Sequence, residues 1–82
     1  MIASAQISVY PLRQQRLGPA VEAVRAALMA QGLSPEVGAM STLVVGEDAA
    51  IFAALRDAFA GAAAAGEVVM TVTLSNACPI AR

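Results

Sequence analysis

Residues 34–46, SPEVGAMSTLVVG, decide the fold. A proline and glycines punctuate two short runs that are otherwise apolar or β-branched. Such punctuation reads as two strands, 35–39 and 41–46. The join near Ala39 and Met40 lacks the Asn-Gly or Asp-Gly dipeptide of the tightest hairpins, so a longer turn is expected there. Gly46 closes the second strand as a turn glycine, and Glu47-Asp48 open a helix.

Upstream, residues 3–10 alternate. Ala5, Ile7 and Val9 face one way while Gln6, Ser8 and Tyr10 face the other, which is the period of a strand. Pro11 has no N–H and ends the pairing. PLRQQRLG, 11–18, is a connection, and a helix follows over about 18–31. Its stripe is Leu17, Val21, Val24 and Leu28; Pro19 suits the first turn and Gly32 the C-terminal stop.

Downstream, Asp48 suits the positive end of a second helix, whose expected buried stripe is Ile51, Phe52, Leu55 and Phe59. AFAGAAAAGE, 58–67, reads as an alanine-rich tail of that helix, with Gly66 as the stop. EVVMTVTLSN, 67–76, is the clearest strand: Val68, Met70, Val72 and Leu74 share one face, and Val69, Thr71, Thr73 and Ser75 the other. The order is therefore βαββαβ. That is the α+β, ferredoxin-like plan, a single domain over 1–82 with a four-stranded antiparallel sheet and both helices on one face. Right-handed crossovers put the first and third strands in the centre.

The expected helix-facing side is Ile7, Val9, Leu43, Val45, Val68, Met70, Val72 and Leu74. The expected open side is Gln6, Ser8, Tyr10, Thr42, Val44, Val69, Thr71, Thr73 and Ser75. This open set is rich in hydroxyls and nearly free of charge. A water-washed face carries Lys and Glu, so the pattern suits packing against a second sheet or lining of a polar cavity. A good β propensity of Thr is the plainer alternative.

Composition supports association. Of 82 residues, 59% are hydrophobic and 13% charged, and so small a chain buries too little surface to be robust alone. One cysteine excludes an internal disulfide, and the absence of His removes the usual zinc sets and any Ser-His or Cys-His pair. No metal site, cofactor or catalysis is expected; Cys78 reads as a spectator thiol in the tail. Net charge is −1, without Lys, which argues against nucleic acid and anionic membranes. No apolar run reaches the ~20 residues that span a bilayer. The lone thiol and the lack of a leader-like N-terminus suit the cytoplasm.

The single Tyr stands where the first strand meets Pro11. Topology puts Tyr10 near Met40, Ser41 and Thr42, with Glu67 beside them, whereas Asn76 falls at the opposite end of the sheet. A phenol, two hydroxyls and a carboxylate can stack on and hydrogen-bond a small flat heterocycle. An aromatic buried in a subunit interface, with no ligand, is the alternative.

Three segments, SVYPL (8–12), VGAMSTLVVGE (37–47) and TVTLSNA (71–77), resemble in order and spacing the thiamine-binding-protein-like family, the YkoF group, formerly a domain of unknown function. The resemblance implies a ferredoxin-like fold, sheet-packed homodimers or homotetramers, no catalysis, and in some members binding of thiamine or its hydroxymethylpyrimidine moiety. Carried onto this chain, it nominates Ser8, Tyr10, Ser41, Thr42 and Asn76 for the ligand. Glu47 or Glu67 could accept from the pyrimidine amine or offset the thiazolium charge, although the plainer reading is that Glu47 opens a helix and Glu67 leaves a turn. The segment ACPIAR is shorter than the extension many family members carry past the last strand, so an element supplied there is expected to be missing. The alternative reading is an oligomeric regulatory or structural module, similar to ACT domains, that binds another metabolite or none.

Overall fold

In a computed structural model of the chain, residues 1–13, 16–64 and 66–77 are described. Cys78 and the rest of the terminal segment lie outside them, as do Gln14 and Gln15 of the first connection. The elements are β1 (Ile2–Pro11), α1 (Gly18–Ala30), β2 (Glu36–Val37), β3 (Thr42–Glu47), α2 (Asp48–Ala63) and β4 (Val68–Ser75). They build one antiparallel sheet in the order β2-β3-β1-β4. This is the ferredoxin-like βαββαβ fold, with the first and third strands in the middle.

Local chemistry explains where elements stop. Pro11 ends β1, and Arg13 turns away at φ +58. After α1, Gly32 takes φ +78. There the Gly32 N–H donates to the Met29 carbonyl at 3.0 Å and the Leu33 N–H to the Leu28 carbonyl at 3.1 Å. Those two bonds are a Schellman stop, which needs a left-handed residue at the position of Gly32. The β2–β3 hairpin is closed by a bond from the Gly38 N–H to the Ser41 carbonyl, 2.8 Å. Its loop, residues 38–41, consumes part of both expected strands and leaves β2 only two residues long.

The register of β3 differs from expectation by one residue. Ala3, Ala5 and Ile7 of β1 stand opposite Gly46, Val44 and Thr42. Because neighbouring strands share faces at paired positions, Thr42 and Val44 join the buried β1 residues on the helix side. Leu43 and Val45, opposite Gln6 and Ser4, lie on the open side. Gly46 is accordingly a strand residue, not a turn glycine: a Cβ there would come within 2.4 Å of Leu33 Cδ2. On β4 the expected faces hold, since Val72 pairs with Ile7 and Thr71 with Ser8.

The helices also bury different stripes. On α1 the buried residues are Ala20, Val24 and Leu28, with Val21 at the margin and Leu17 outside the helix and exposed. On α2 they are Ile51, Ala54, Ala58 and Ala62. Phe52 and Phe59 are 56% and 49% exposed. Small residues win because the two helices lie close together: a Cβ on Gly61 would meet the Ala23 Cβ at 3.3 Å. Gly61 is thus a contact point inside α2. The core is made of Ala, Val, Ile and Leu, with Ile7, Val24, Leu28, Val44 and Ile51 its largest fully buried side chains. Among the described residues no helix is long and apolar enough to cross a membrane.

Candidate functional site

The central strand β1 lays Ser4, Gln6, Ser8 and Tyr10 along the open side of the sheet, two residues apart. Its ladder with β3 ends where Ile7 meets Thr42. Beyond that point the tip of the β2–β3 hairpin is tied to β1 by side chains. Gln6 Nε2 donates to Ser41 Oγ at 3.2 Å, and Ser8 Oγ donates to the Met40 carbonyl at 3.2 Å. A cleft of about 540 Å³ opens beside these bonds, lined by Glu36, Val37, Gly38, Ala39, Met40, Ser41 and Leu43. That volume is in the range of small-molecule sites.

Tyr10 continues the same face from Ser8, about 7 Å further along the strand. It pairs with Val69 of β4 and is 48% exposed. The half-exposed Tyr10 therefore stands at the end of the sheet. Near it β1 leaves the sheet and β4 enters it: the Leu12 N–H donates to the Glu67 carbonyl, 2.8 Å, and the Glu67 carboxylate is ion-paired with Arg13.

Among the residues nominated from sequence, Ser8 and Ser41 come together at the hairpin tip, and Tyr10 shares their face and end. Thr42 does not join them. It is 4% exposed and belongs to the helix side, a consequence of the one-residue shift in β3. Asn76 is at the far end, as the topology required. Its amide lies 3.2 Å from Met1 Sδ, and it lines a separate cleft of about 370 Å³ with Met1, Ala3, Asp48, Phe52, Leu74 and Ser75. Ser4, which pairs with Ser75, is six residues and about 20 Å from Tyr10. One small ligand cannot bridge the two ends within a protomer.

The carboxylates also sort by position. Glu47 is at the far end, where the Met1 ammonium lies 3.1 Å from it and 3.0 Å from Asp48. Asp48 holds its carboxyl below the usual carboxylate range, chiefly through that hydrogen bond, while the ammonium is raised by Asp48 first and Glu47 second. Glu67 is at the Tyr10 end. Glu36, not singled out from sequence, lines the hairpin cleft opposite Leu43. Its place follows from the β3 register: had Leu43 been read as open-side, its hairpin partner would have been seen there too. Gln6 was legible as an open-side residue, but its bond to Ser41 needed the hairpin tip. Among the described residues no group of three Cys, Asp or Glu side chains gathers as a metal site.

Fold and site together define a small ferredoxin-like domain whose helix-free side is polar but nearly uncharged. The YKOF-related family matches residues 2–81, and the chain belongs to that family. No curated protein matches it. Solved structures share the fold. A hypothetical protein of Methanocaldococcus jannascii superposes with a TM-score of 0.83 at 21% identity, over 92% of this chain and 79% of its own. A Streptococcus pneumoniae protein gives 0.80 at 27% identity, over 92% and 86%. A Thermotoga maritima protein provisionally assigned to thiamine biosynthesis or salvage gives 0.80 at 20% identity, over 99% and 90%.

Proposed function

We propose that the chain is a non-catalytic binding protein for thiamine or its hydroxymethylpyrimidine moiety, acting as a homo-oligomer packed through the open side of its sheet. The observation that carries this reading is the hydroxyl and amide cluster of Gln6, Ser8 and Ser41 beside a cleft, on one face with an exposed Tyr10. A pyrimidine stacked on Tyr10 would present ring nitrogens and an exocyclic amine within reach of such groups. Glu36, or Glu67 at the Tyr10 end, would accept from the amine or offset the thiazolium charge. A second copy across the open side would close the site from above and exclude water from these bonds. Family membership and the thiamine-related assignment of one structural neighbour support this choice of ligand.

Isothermal titration with thiamine and with hydroxymethylpyrimidine tests it. Saturable heat is expected for the wild type, a loss of at least tenfold in affinity for Tyr10→Ala, and no change for Thr42→Val. Absence of heat at millimolar ligand, or equal binding by Tyr10→Ala, would contradict the reading.

A further inference from the structure

At the end of the sheet away from Tyr10, the starts of β1 and α2 meet the end of β4. Ile2 pairs with Glu47 and Ser4 with Ser75, and the Asp48 N–H donates to the Met1 carbonyl at 2.9 Å. The cleft of about 370 Å³ at this corner lies on the helix side of the sheet, since Ala3 is buried there and Leu74 pairs with Ala5. Its volume is at the small end of ligand sites. An ion pair stands on its wall: the Met1 ammonium donates to Asp48 Oδ1 at 3.0 Å, and also to Glu47 Oε1 at 3.1 Å. Beside the pair is an apolar wall formed by the exposed Phe52 and Leu74.

The pairing leaves both charged groups with bonding capacity. An ammonium has three N–H donors, and a carboxylate offers about four lone pairs. Two of the Met1 donors are used, and the third has no partner among the described residues. Both groups reach solvent. The hydroxyl of Ser75 and the amide of Asn76 complete the polar lining. Such a site selects by charge arrangement. An amine alone would be repelled by the Met1 ammonium, and an acid alone by Asp48. A molecule that carries both charges side by side is attracted by both members of the pair.

We infer that the far-end cleft binds a small zwitterion, a free α-amino acid with an apolar side chain. Its ammonium donates to the Asp48 carboxylate, its carboxylate accepts from the third N–H of Met1, and its side chain packs on Phe52 and Leu74. The start of α2 also favours the carboxylate, because the positive end of a 16-residue helix lies there. Glycine would offer both charges but nothing to the apolar wall. A charged side chain would be desolvated against Phe52 and Leu74 without a partner. The inference does not depend on the pyrimidine reading: this cleft shares no lining residue with the hairpin cleft. Occupancy would brace the starts of β1 and α2 and raise the melting temperature by mass action.

Amide chemical-shift titration with L-leucine tests the inference. Leucinamide, isocaproate and glycine serve as probes that remove the carboxylate charge, the ammonium and the side chain in turn. Leucine is expected to shift the amides of Asp48, Phe52, Leu74, Ser75 and Asn76 saturably and to leave those of Ser8, Met40 and Ser41 in place. Each of the other three probes should bind at least tenfold more weakly. Asp48→Asn and Phe52→Ala, both at solvent-accessible side chains, should lower leucine affinity at least fivefold, with circular dichroism verifying the fold. Acetylation of the N-terminus, the sole primary amine of a chain without Lys, removes the ammonium and should weaken leucine binding likewise. No saturable shift up to the solubility limit of leucine overturns the inference. So does equal binding of leucinamide or isocaproate, and so do shifts confined to the hairpin end.

Discussion

Ser8 Oγ donates to the Met40 carbonyl across 3.2 Å, and this bond fixes the hairpin tip over the central strand after the backbone ladder between them has ended. The parallel bond from Gln6 to Ser41 adds to it, and the loop is closed on itself by the Gly38–Ser41 bond. The hairpin tip beside the cleft is therefore held by two solvent-accessible side-chain bonds.

Ser8→Ala is expected to cost about 0.5–1 kcal/mol, the net worth of one accessible neutral hydrogen bond. Urea unfolding measures it. Affinity for the pyrimidine should fall by more than stability does, because the loop carrying Ser41 loses its anchor.

Thr42→Val is expected to leave ligand affinity unchanged and to hold or raise stability by up to about 1 kcal/mol. Thr42 is buried on the helix side, and among the described residues its hydroxyl has no hydrogen-bond partner; removing a buried, unpaired hydroxyl without changing volume is favourable. Thermal unfolding and titration of the same variant measure both effects.

Gly46→Val should destabilise by about 1 kcal/mol, the low end of overpacking costs, because the atom it meets is the far end of the flexible, partly buried Leu33. The new side chain would occupy the place of Leu33 Cδ2, only 2.4 Å from the added Cβ. Leu33→Ala in the same chain should recover part of the loss, a coupling that a double-mutant cycle reads directly.

The Met1 ammonium ties the start of β1 to the start of α2 through Glu47 and Asp48. Raised above its ordinary 8.0, the ammonium contributes stability that is complete below 8.0 and is lost as pH climbs through its folded value. Asp48, lowered below its ordinary 3.8, contributes above 3.8 and stops contributing as pH falls through its own folded value. Both groups are solvent-exposed, so the effect is small. Asp48→Asn should melt slightly below the wild type at pH 6, and the difference should shrink at pH 10 and at pH 2.5.

Much of this architecture is legible in the chain because its alternation is clean where it matters. Residues 3–10 and 67–76 announce two strands and their faces, and Pro19 and Gly32 bracket α1. The β3 run Thr42-Leu43-Val44-Val45 offers no such contrast: four β-branched or apolar residues in a row fit either face, and only pairing with β1 sets the register. For that reason Thr42 moves to the core and Leu43 to the open side, while Ser41 stays at the hairpin tip. The α2 stripe misleads in another way. Large Phe52 and Phe59 attract assignment to the core, but close helix–helix contact at Gly61 and Ala23 selects Ala54, Ala58 and Ala62. The rings left outside mark the surface beside β4. Ser8, Tyr10 and Ser41 were legible as one group because they depend on strand ends, which antiparallel topology fixes without any side-chain detail.

The proposed pyrimidine site lies on the open side at the hairpin tip. Amide chemical-shift mapping with hydroxymethylpyrimidine tests it most directly. The perturbed amides are expected to cluster at Gln6, Ser8, Tyr10, Met40 and Ser41 and to leave Asp48, Phe52 and Asn76 unmoved. Shifts confined to the far end around Asn76, or none at saturating ligand, would contradict it.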